Sequence, residues 1–388
     1  MIRNPERFAR LLAEVRQFVR TECMPLEAEI DRTDVIPAPV VQRMREVGLF
    51  GHSIPEAYGG AGLTSEELSL VNMEVSQVAT TFRARFGGNT GIASEALIAD
   101  GLDAQKRAWL PRLASGEITG CFALTEAEAG SDATALATRA VPARGADGRT
   151  GWRIDGTKRY ITNAPIADLF TVFARTGDAA RGAAGITAFL VPRGTPGLST
   201  GPAYRKLGQH GSPVGEVRLD ACWVPDDAVL GGEPGEGFRS AMRALNKQRI
   251  NLAALCVGPA LRLLDEAVAH ARARRQFGQP IGDFQLVQAM LADSATEIAA
   301  ARALVLETAR RRDAGEDVTK DVSMCKLFAS ETCGRVADRA VQLLGGAGYL
   351  EGHPIVRLYR DVRLFRLYEG TSQIHQLNIA KHLLKGTP

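Results

Sequence analysis

The chain has 388 residues, of which 45% are hydrophobic and 23% are charged, and its formal net charge is +3. This length exceeds what one hydrophobic core usually supports, so we expect two or three domains in a globular protein. The small net charge argues against a nucleic-acid-binding protein. The longest apolar stretch, residues 252–264, contains Pro259 and Arg262 and is too short to span a bilayer.

The six cysteines form no C-x-x-C pair and have no metal-like spacing with histidine. We therefore expect reduced, mostly buried thiols in a cytoplasmic protein without a metal site. Arg3, Arg7 and Arg10 near the N-terminus are interspersed with Glu6 and Glu14 in a segment that already has helical periodicity. For that reason we do not expect a transit or signal peptide.

The first predicted domain covers residues 1–118 and is helical. Apolar residues recur every three or four positions over residues 8–19, and a further helix is predicted over residues 65–78. Thr64 and Glu67 have the spacing of a capping box, which predicts where that helix begins.

Residues 119–233 form the second predicted domain, an antiparallel β domain. Short apolar or β-branched runs alternate there with glycines and prolines, as is typical of strands joined by turns. These runs include residues 160–162, 169–174, 186–191 and 217–224.

The third predicted domain, residues 234–388, returns to helices. Long helices are predicted over residues 238–272, 284–312 and 319–344, followed by two shorter ones. Their broad apolar stripes should pack as a bundle. The expected fold class is therefore α+β multidomain: an N-terminal helical domain, a central antiparallel β domain and a C-terminal helical bundle.

One carboxylate near the C-terminus has unusual neighbours. Glu369 follows Leu367 and Tyr368 and precedes Gly370. A carboxylate among apolar groups is poorly solvated, so its pKa should rise and it becomes a stronger base near neutral pH. The glycine allows a ligand to approach the backbone closely. Most glutamates after a tyrosine lie on the surface, so this position alone does not indicate catalysis.

Two predicted strand ends carry hydroxyl groups. Thr125 is followed by the Gly-Ser-Asp turn at residues 130–132, and Tyr160 stands two positions before Thr162, on the same strand face. Such groups can cover a flat ring and bind its edge, and a turn can hold a phosphate. Ordinary strands that end in Asx or ST turns give the same pattern.

Five segments in this order resemble the acyl-CoA dehydrogenase family, and the resemblance covers nearly the whole chain. They are Thr125-Glu126 to Ser131-Asp132, Tyr160-Ile161-Thr162-Asn163, Arg274-Arg275-Gln276-Phe277-Gly278, Gln342 to Tyr349, and Tyr368-Glu369-Gly370-Thr371. Each motif is modest alone, but five in register make a chance match improbable.

The resemblance implies FAD as the cofactor, shared between the subunits of a homodimer or homotetramer. The flavin ring would be surrounded by Phe122, Leu124, Thr125, Tyr160 and Thr162, with Thr162 near N5. Ser131 would meet the pyrophosphate region or the thioester ligand. FAD bound mainly by the partner subunit would be reached by Arg274, Gln276, Phe277, Gln342, Gly345 and Gly346, whereas Thr371 and Gln373 would contact FAD in the same subunit as Glu369.

The implied reaction is α,β-dehydrogenation of an acyl-CoA thioester to a trans-2-enoyl-CoA. Glu369 would remove the α-proton, flavin N5 would receive the hydride, and an electron-transfer flavoprotein would take the electrons. The Glu369 N–H and a ribityl hydroxyl would bind the thioester carbonyl. The implied substrate-binding residues are Ser131, Asn246, Arg249, Gly370 and Arg83.

Two positions bear on the substrate. Relatives often carry an aspartate at the position of Asn246, and an arginine at the position of Arg249 that contacts CoA. Arg249 is present here, but the asparagine at position 246 leaves an acyl-carrier-protein substrate open. Some branched-chain relatives place the base on this helix, but Asn246 cannot act as one. Relatives that act on dicarboxylyl-CoA carry an arginine near Arg83; a solvent-facing charge is more frequent there, and we expect that for Arg83. Phe86 could cap a short pocket.

Two other functional classes remain open on the same fold. One is an acyl-CoA oxidase, or a nitroalkane oxidase, although the latter carries aspartate where Glu369 stands. The other is a DNA-associated relative with an additional basic domain, which the small net charge disfavours.

Overall fold

The computed structural model describes residues 1–385, except for the side chains of residues 179 and 180. The last three residues of the third predicted domain lie outside this range. The N-terminal helices are α1 (Pro5–Phe18), α2 (Glu27–Thr33), α3 (Ala38–Glu46), α4 (Ser65–Val75), α5 (Thr81–Gly87), α6 (Ile92–Asp100) and α7 (Asp103–Ala114).

The predicted capping box begins α4. Thr64 Oγ1 accepts a hydrogen bond from the Glu67 N–H at 3.2 Å, and Glu67 Oε2 accepts one from the Thr64 N–H at 2.9 Å. The helix ends at Val75, three residues before the predicted end. Just beyond it, Ser76 Oγ donates to the Asn72 carbonyl at 2.6 Å, a local bond that competes with helix continuation.

The central domain is a sheet of seven strands among the described residues. They are β1 (Gly120–Ala123), β2 (Arg139–Arg144), β3 (Thr150–Thr162), β4 (Leu169–Arg175), β5 (Ile186–Pro192), β6 (Leu198–Thr200) and β7 (Val214–Pro225). The order is β1-β4-β2-β3-β7-β6, with β5 on β4. Most pairs are antiparallel, as expected, but β1 and β4 run parallel, and so do β2 and β4 at their one bridge. A parallel pair needs a crossover, and the chain between β1 and β4 supplies it through β2 and β3.

The C-terminal bundle is built on α8 (Gly237–Ala273). A short hairpin of β8 (Arg275–Gln276) and β9 (Gln279–Pro280) follows, and then α9 (Gln285–Asp313), α10 (Thr319–Leu344), α11 (Pro354–Val362) and α12 (Ser372–Leu384). Helix α8 packs against α9 and α10 and also against α4 and α6 of the N-terminal domain. None of the described helices, the 37-residue α8 included, has the length and hydropathy of a membrane span. The three-domain fold class is confirmed.

A buried carboxylate joins all three domains. Asp361 of α11 accepts hydrogen bonds from the backbone N–H of Gln209, which lies in the loop between β6 and β7, and from the N–H and hydroxyl of Thr80, each of these two at 3.3 Å. Arg357, one turn earlier, forms an ion pair with Glu27 of α2 at 3.1 Å. Thr80 and Gln209 both line the cavity described next, so this junction fixes part of its wall.

Candidate active site

A cavity of about 600 Å³ lies where the three domains meet. Its walls come from α5, from the ends of β1 and β3, from α8, and from the segment that precedes α12. The structure brings together in this cavity many of the residues that the sequence singled out: Arg83, Phe122, Leu124, Thr125, Ser131, Tyr160, Thr162, Asn246, Arg249, Glu369 and Gly370.

Glu369 combines burial with an unusual backbone. Its φ of +52° lies in the left-handed region, and its Oε2 atom is buried without a hydrogen-bond partner among the described residues. Burial raises the pKa of Glu369, and the positive charges of Arg83, Lys326 and Arg249 offset part of that rise. The result is an under-solvated carboxylate inside a cavity, as the sequence predicted.

The backbone around Glu369 is held by two cations, Arg249 from the cavity wall and Lys326 from outside the cavity. Arg249 Nε donates to the Glu369 carbonyl at 3.3 Å, and Lys326 Nζ donates to the Gly370 carbonyl at 2.6 Å. Gly370 has φ +96°, and a Cβ there would lie 3.0 Å from His375 Nε2. Thr371 then caps α12 by accepting from the Ile374 N–H at 3.3 Å. Thr371 and the exposed Gln373 therefore stand beside the cavity rather than in its wall.

The opposite wall is positioned by a buried ion pair. Lys158 of β3 lies 2.6 Å from Glu126 and also donates to the Leu124 carbonyl at 3.2 Å. Glu126 in turn accepts from the Ala137 and Thr138 amides. These bonds, with one from the Arg159 N–H to the Thr125 carbonyl at 2.8 Å, tie the end of β1 to β3.

The residues on this wall fit a flavin. Phe122 and Leu124 contribute apolar side chains to the cavity lining, and Thr125, Ser131 and Thr162 contribute hydroxyl groups. Tyr160 has φ +59° at a register shift between β3 and β7; it lines the cavity and is 62% exposed. An apolar and aromatic surface edged by hydrogen-bonding groups is what a flat heteroaromatic ring requires.

The remaining predicted cofactor residues lie elsewhere on the chain. Phe277, at the tip of the β8–β9 hairpin, is 93% exposed, and a Cβ added to Gly345 or Gly346 would meet no atom within 4 Å. Within the described chain, none of the six residues that the resemblance assigns to FAD bound by a partner subunit lines the cavity: Arg274, Gln276, Phe277, Gln342, Gly345 and Gly346.

Arg83 corrects one expectation. We expected it to face solvent, but it is buried and lines the cavity. Its Nε donates to Asn72 Oδ1 at 3.2 Å, and a Cβ on Gly87 would lie 2.3 Å from its Nη1, so this glycine makes room for the guanidinium. Phe86, expected as a possible cap, is instead buried in the core of the N-terminal domain and does not line the cavity.

Asn246 and Arg249 lie within α8, whose predicted bounds, residues 238–272, agree with the observed ones to one residue at each end. Arg249 Nη1 donates to Asn246 Oδ1 at 2.7 Å, so this guanidinium is engaged by Asn246 and by the Glu369 carbonyl. Asn246 also borders a second chamber of about 320 Å³, lined by Arg312 and residues 315–319.

Sequence reasoning missed Lys326 and His375, which pack behind the Glu369 turn. Both are fully buried, and neither ring nitrogen of His375 has a hydrogen-bond partner in the described chain. A signal existed, because Lys326 interrupts the apolar face of a predicted helix.

All six cysteines are buried and free, as predicted. In the described residues no group of three His, Cys, Asp or Glu side chains could hold a metal ion.

Comparisons with known proteins agree along the whole chain. The family models for the N-terminal, middle and C-terminal domains of acyl-CoA dehydrogenase match residues 5–117, 121–222 and 235–384. An acyl-CoA dehydrogenase of Bacillus subtilis is 39% identical, over 96% of this chain and 97% of its own length. The human mitochondrial short-chain specific acyl-CoA dehydrogenase is 39% identical, over 98% of this chain and 91% of its own.

Solved structures give the same result. One, solved in work on the electron transferring flavoprotein of Acidaminococcus fermentans, has a TM-score of 0.93 at 35% identity and covers 100% of both chains. A glutaryl-CoA dehydrogenase bound to glutaryl-CoA has a TM-score of 0.91 at 35% identity, covering 99% and 97%. The glutaryl-CoA dehydrogenase of Mycobacterium smegmatis in complex with FADH2 has a TM-score of 0.90 at 30% identity, covering 98% and 95%. This chain therefore belongs to the acyl-CoA dehydrogenase family of FAD-dependent oxidoreductases.

Proposed function

We propose that this protein dehydrogenates an acyl-CoA thioester at the α,β bond, with Glu369 as the base. The observation that carries the proposal is that Glu369 lines the cavity while its buried Oε2 has no hydrogen-bond partner among the described residues. A carboxylate whose pKa is raised by burial, and which faces a ligand-sized space, has the properties of a general base.

The chain's own groups account for the proton half of the reaction. Glu369 Oε2 takes the α-proton, and the negative charge that develops moves to the thioester carbonyl oxygen. The N–H of Glu369 has no backbone acceptor in the described chain, so it can donate to that oxygen. Such a donor typically contributes about 3 kcal/mol to transition-state stabilisation. FAD, when bound, supplies the acceptor for the β-hydride at N5 of its ring.

The electron acceptor that we propose is an electron-transfer flavoprotein. What supports this proposal is that a similar structure comes from work on such a flavoprotein. The rival acceptor is molecular oxygen, which would make the protein an oxidase. Hydrogen peroxide formed with substrate under air distinguishes the two.

An anaerobic titration tests the reaction itself. FAD-loaded protein is titrated with straight-chain, branched, aromatic and dicarboxylyl acyl-CoAs while the visible band of the oxidised flavin is followed. We expect one class to bleach the band in proportion to the thioester added. If none does while FAD stays bound, acyl carrier proteins loaded with the same acyl groups are the next substrates. Failure with both sets would refute the proposed reaction.

We also propose that FAD is completed by a second subunit of a homodimer or homotetramer. Phe277 is 93% exposed and has φ +50°, and other large apolar residues of the C-terminal domain, such as Leu286 and Tyr349, are also exposed. Exposed aromatic residues outside the cavity are expected where a partner covers them.

Phe277→Asp should therefore lose bound FAD and dissociate into smaller species, because a carboxylate would be buried in the proposed interface. Size-exclusion chromatography with simultaneous protein and flavin absorbance measures both effects. Since Phe277 makes little contact within its own subunit, the circular dichroism spectrum should not change. Full FAD occupancy in the unchanged oligomer would exclude this residue from the cofactor site.

A distal carboxylate on the acyl chain is a second feature that we propose for the substrate. Arg83 is buried in the cavity, and in the described chain it forms no ion pair within 4.0 Å. A buried guanidinium without an ion-pair partner is costly, and a ligand carboxylate would relieve that cost. The similarity to a glutaryl-CoA dehydrogenase bound to glutaryl-CoA is consistent with such a substrate.

A further inference from the structure

Two lysine side chains, Lys158 and Lys326, are among the largest fully buried side chains of this protein. They differ in whether a carboxylate lies within ion-pair distance. Lys158 has a carboxylate partner, Glu126, at 2.6 Å. Lys326 has no carboxylate within 4.0 Å in the described chain; its ammonium donates to the Gly370 carbonyl at 2.6 Å. A buried cation that has no carboxylate within ion-pair distance is destabilising, so its retention next to the Glu369 turn calls for a functional reason.

The position of Lys326 supplies that reason. Residues 369 and 370 are both left-handed, with φ +52° and +96°, and the conformation is unfavourable for the glutamate. Arg249 of α8 holds the first carbonyl at 3.3 Å, and Lys326 of α10 holds the second at 2.6 Å. With both carbonyls bound, the backbone of the Glu369–Gly370 turn is held in this conformation.

We propose that Lys326 is a positioning residue of this enzyme: its charged ammonium group holds the Glu369–Gly370 turn in the reactive conformation. The inference rests on the proposed role of Glu369 as the base. Lys326 touches neither the cavity nor a reacting atom, so it acts through the turn and not as a catalytic group.

The pH dependence of the rate can report the charge of Lys326, provided that the groups around it do not titrate in the same range. These groups are Cys256 and Arg249 of α8, Glu331 of its own helix, Glu369 of the turn and His375 of α12. Burial raises the pKa of Cys256 far above its usual range and lowers the pKa of His375 to about 3, so both remain neutral around neutral pH. Burial lowers the pKa of Lys326 to about 8. The ammonium is present below that pH and is lost as the pH rises through it.

The test compares Lys326→Met and Lys326→Arg with the wild-type protein, all loaded with FAD. Lys326→Met keeps the length of the side chain but removes the charge, and we expect kcat to fall by up to about 100-fold. FAD content should be unchanged. The wild-type kcat should decline above about pH 8, and Lys326→Met should lack this alkaline decline. Lys326→Arg should move the decline to higher pH, because a guanidinium keeps its proton.

Lys320→Met is the matched control, because Lys320 lies in the first turn of the same helix and does not line the cavity. It should keep the wild-type kcat and the wild-type alkaline decline. A Lys326→Met protein with the wild-type rate, or with an unchanged alkaline decline, would overturn the proposal. If that variant does not fold, the position of the decline in Lys326→Arg decides the question.

Wild-type turnover in the same assay separates this inference from the proposed function. If the wild-type protein dehydrogenates no thioester, the proposed function has failed, and a crystal structure of FAD-loaded Lys326→Met then decides on the turn alone. The positioning role would be supported if the φ of Glu369 had moved out of the left-handed region and its carbonyl no longer accepted a hydrogen bond from Arg249. An unchanged turn would refute it.

Discussion

Glu369→Gln is expected to leave FAD bound and acyl-CoA affinity nearly unchanged while kcat falls by about 10²- to 10⁴-fold. The amide has the shape of the carboxylate but cannot accept the α-proton. The turn that carries it should persist, since Arg249 and Lys326 bind backbone carbonyls and not the side chain. Rapid-mixing measurement of flavin bleaching isolates this step from the later transfer of electrons.

The pH dependence gives Glu369 a second signature. The base must be ionised, so the rate is present above its pKa and is lost as the pH falls through it. Because burial raises that pKa, the acid limb of kcat/KM should lie above the usual range of a glutamate. Glu369→Asp is the control: it keeps the charge, retains part of the rate and still shows an acid limb. A Glu369→Gln protein with near wild-type bleaching would exclude Glu369 as the base.

The sequence was sufficient where local chemistry decides the structure. The capping box at Thr64 and Glu67 predicted the start of α4, and the predicted helix over residues 319–344 has the observed bounds of α10. The residues at the ends of β1 and β3 that the family resemblance assigned to the flavin line the cavity, and their contacts with FAD stay a prediction.

The sequence was insufficient where distant segments decide. Whether Arg83 is buried depends on Gly87, which removes the Cβ that would collide with it, and on Asn72 of another helix, which accepts its hydrogen bond. The role of Lys326 depends on a carbonyl 44 residues further along the chain. The parallel pairing of β1 and β4 likewise depends on a crossover that no local pattern records. In each case tertiary packing decides whether a charge is buried or which strands pair. The periodicity of apolar residues along the sequence carries no information about that packing.

The burial of Arg83 leads to the second large effect. If the substrate carries a distal carboxylate, Arg83→Met should reduce kcat/KM for glutaryl-CoA, because one partner of a buried charge pair is removed. The expected loss of transition-state stabilisation is about 2–5 kcal/mol. That range corresponds to roughly 30-fold to several thousand-fold in rate. Valeryl-CoA has the same number of carbons without the carboxylate, and its kcat/KM should stay the same or rise, since the variant no longer leaves a cation buried against a methyl group.

Arg83 has a second, smaller influence that must be separated from this one. Its charge opposes the rise in the pKa of Glu369, so Arg83→Met should move the acid limb to higher pH for every substrate. Steady-state assays well above that limb therefore compare the two thioesters without this effect. Arg85→Met is the matched control: Arg85 lies on the same helix, donates to Thr119 Oγ1 at 3.0 Å and does not line the cavity. It should keep the wild-type ratio of glutaryl-CoA to valeryl-CoA activity, whereas equal losses on both thioesters in Arg83→Met would mean that Arg83 shapes the cavity without recognising a carboxylate.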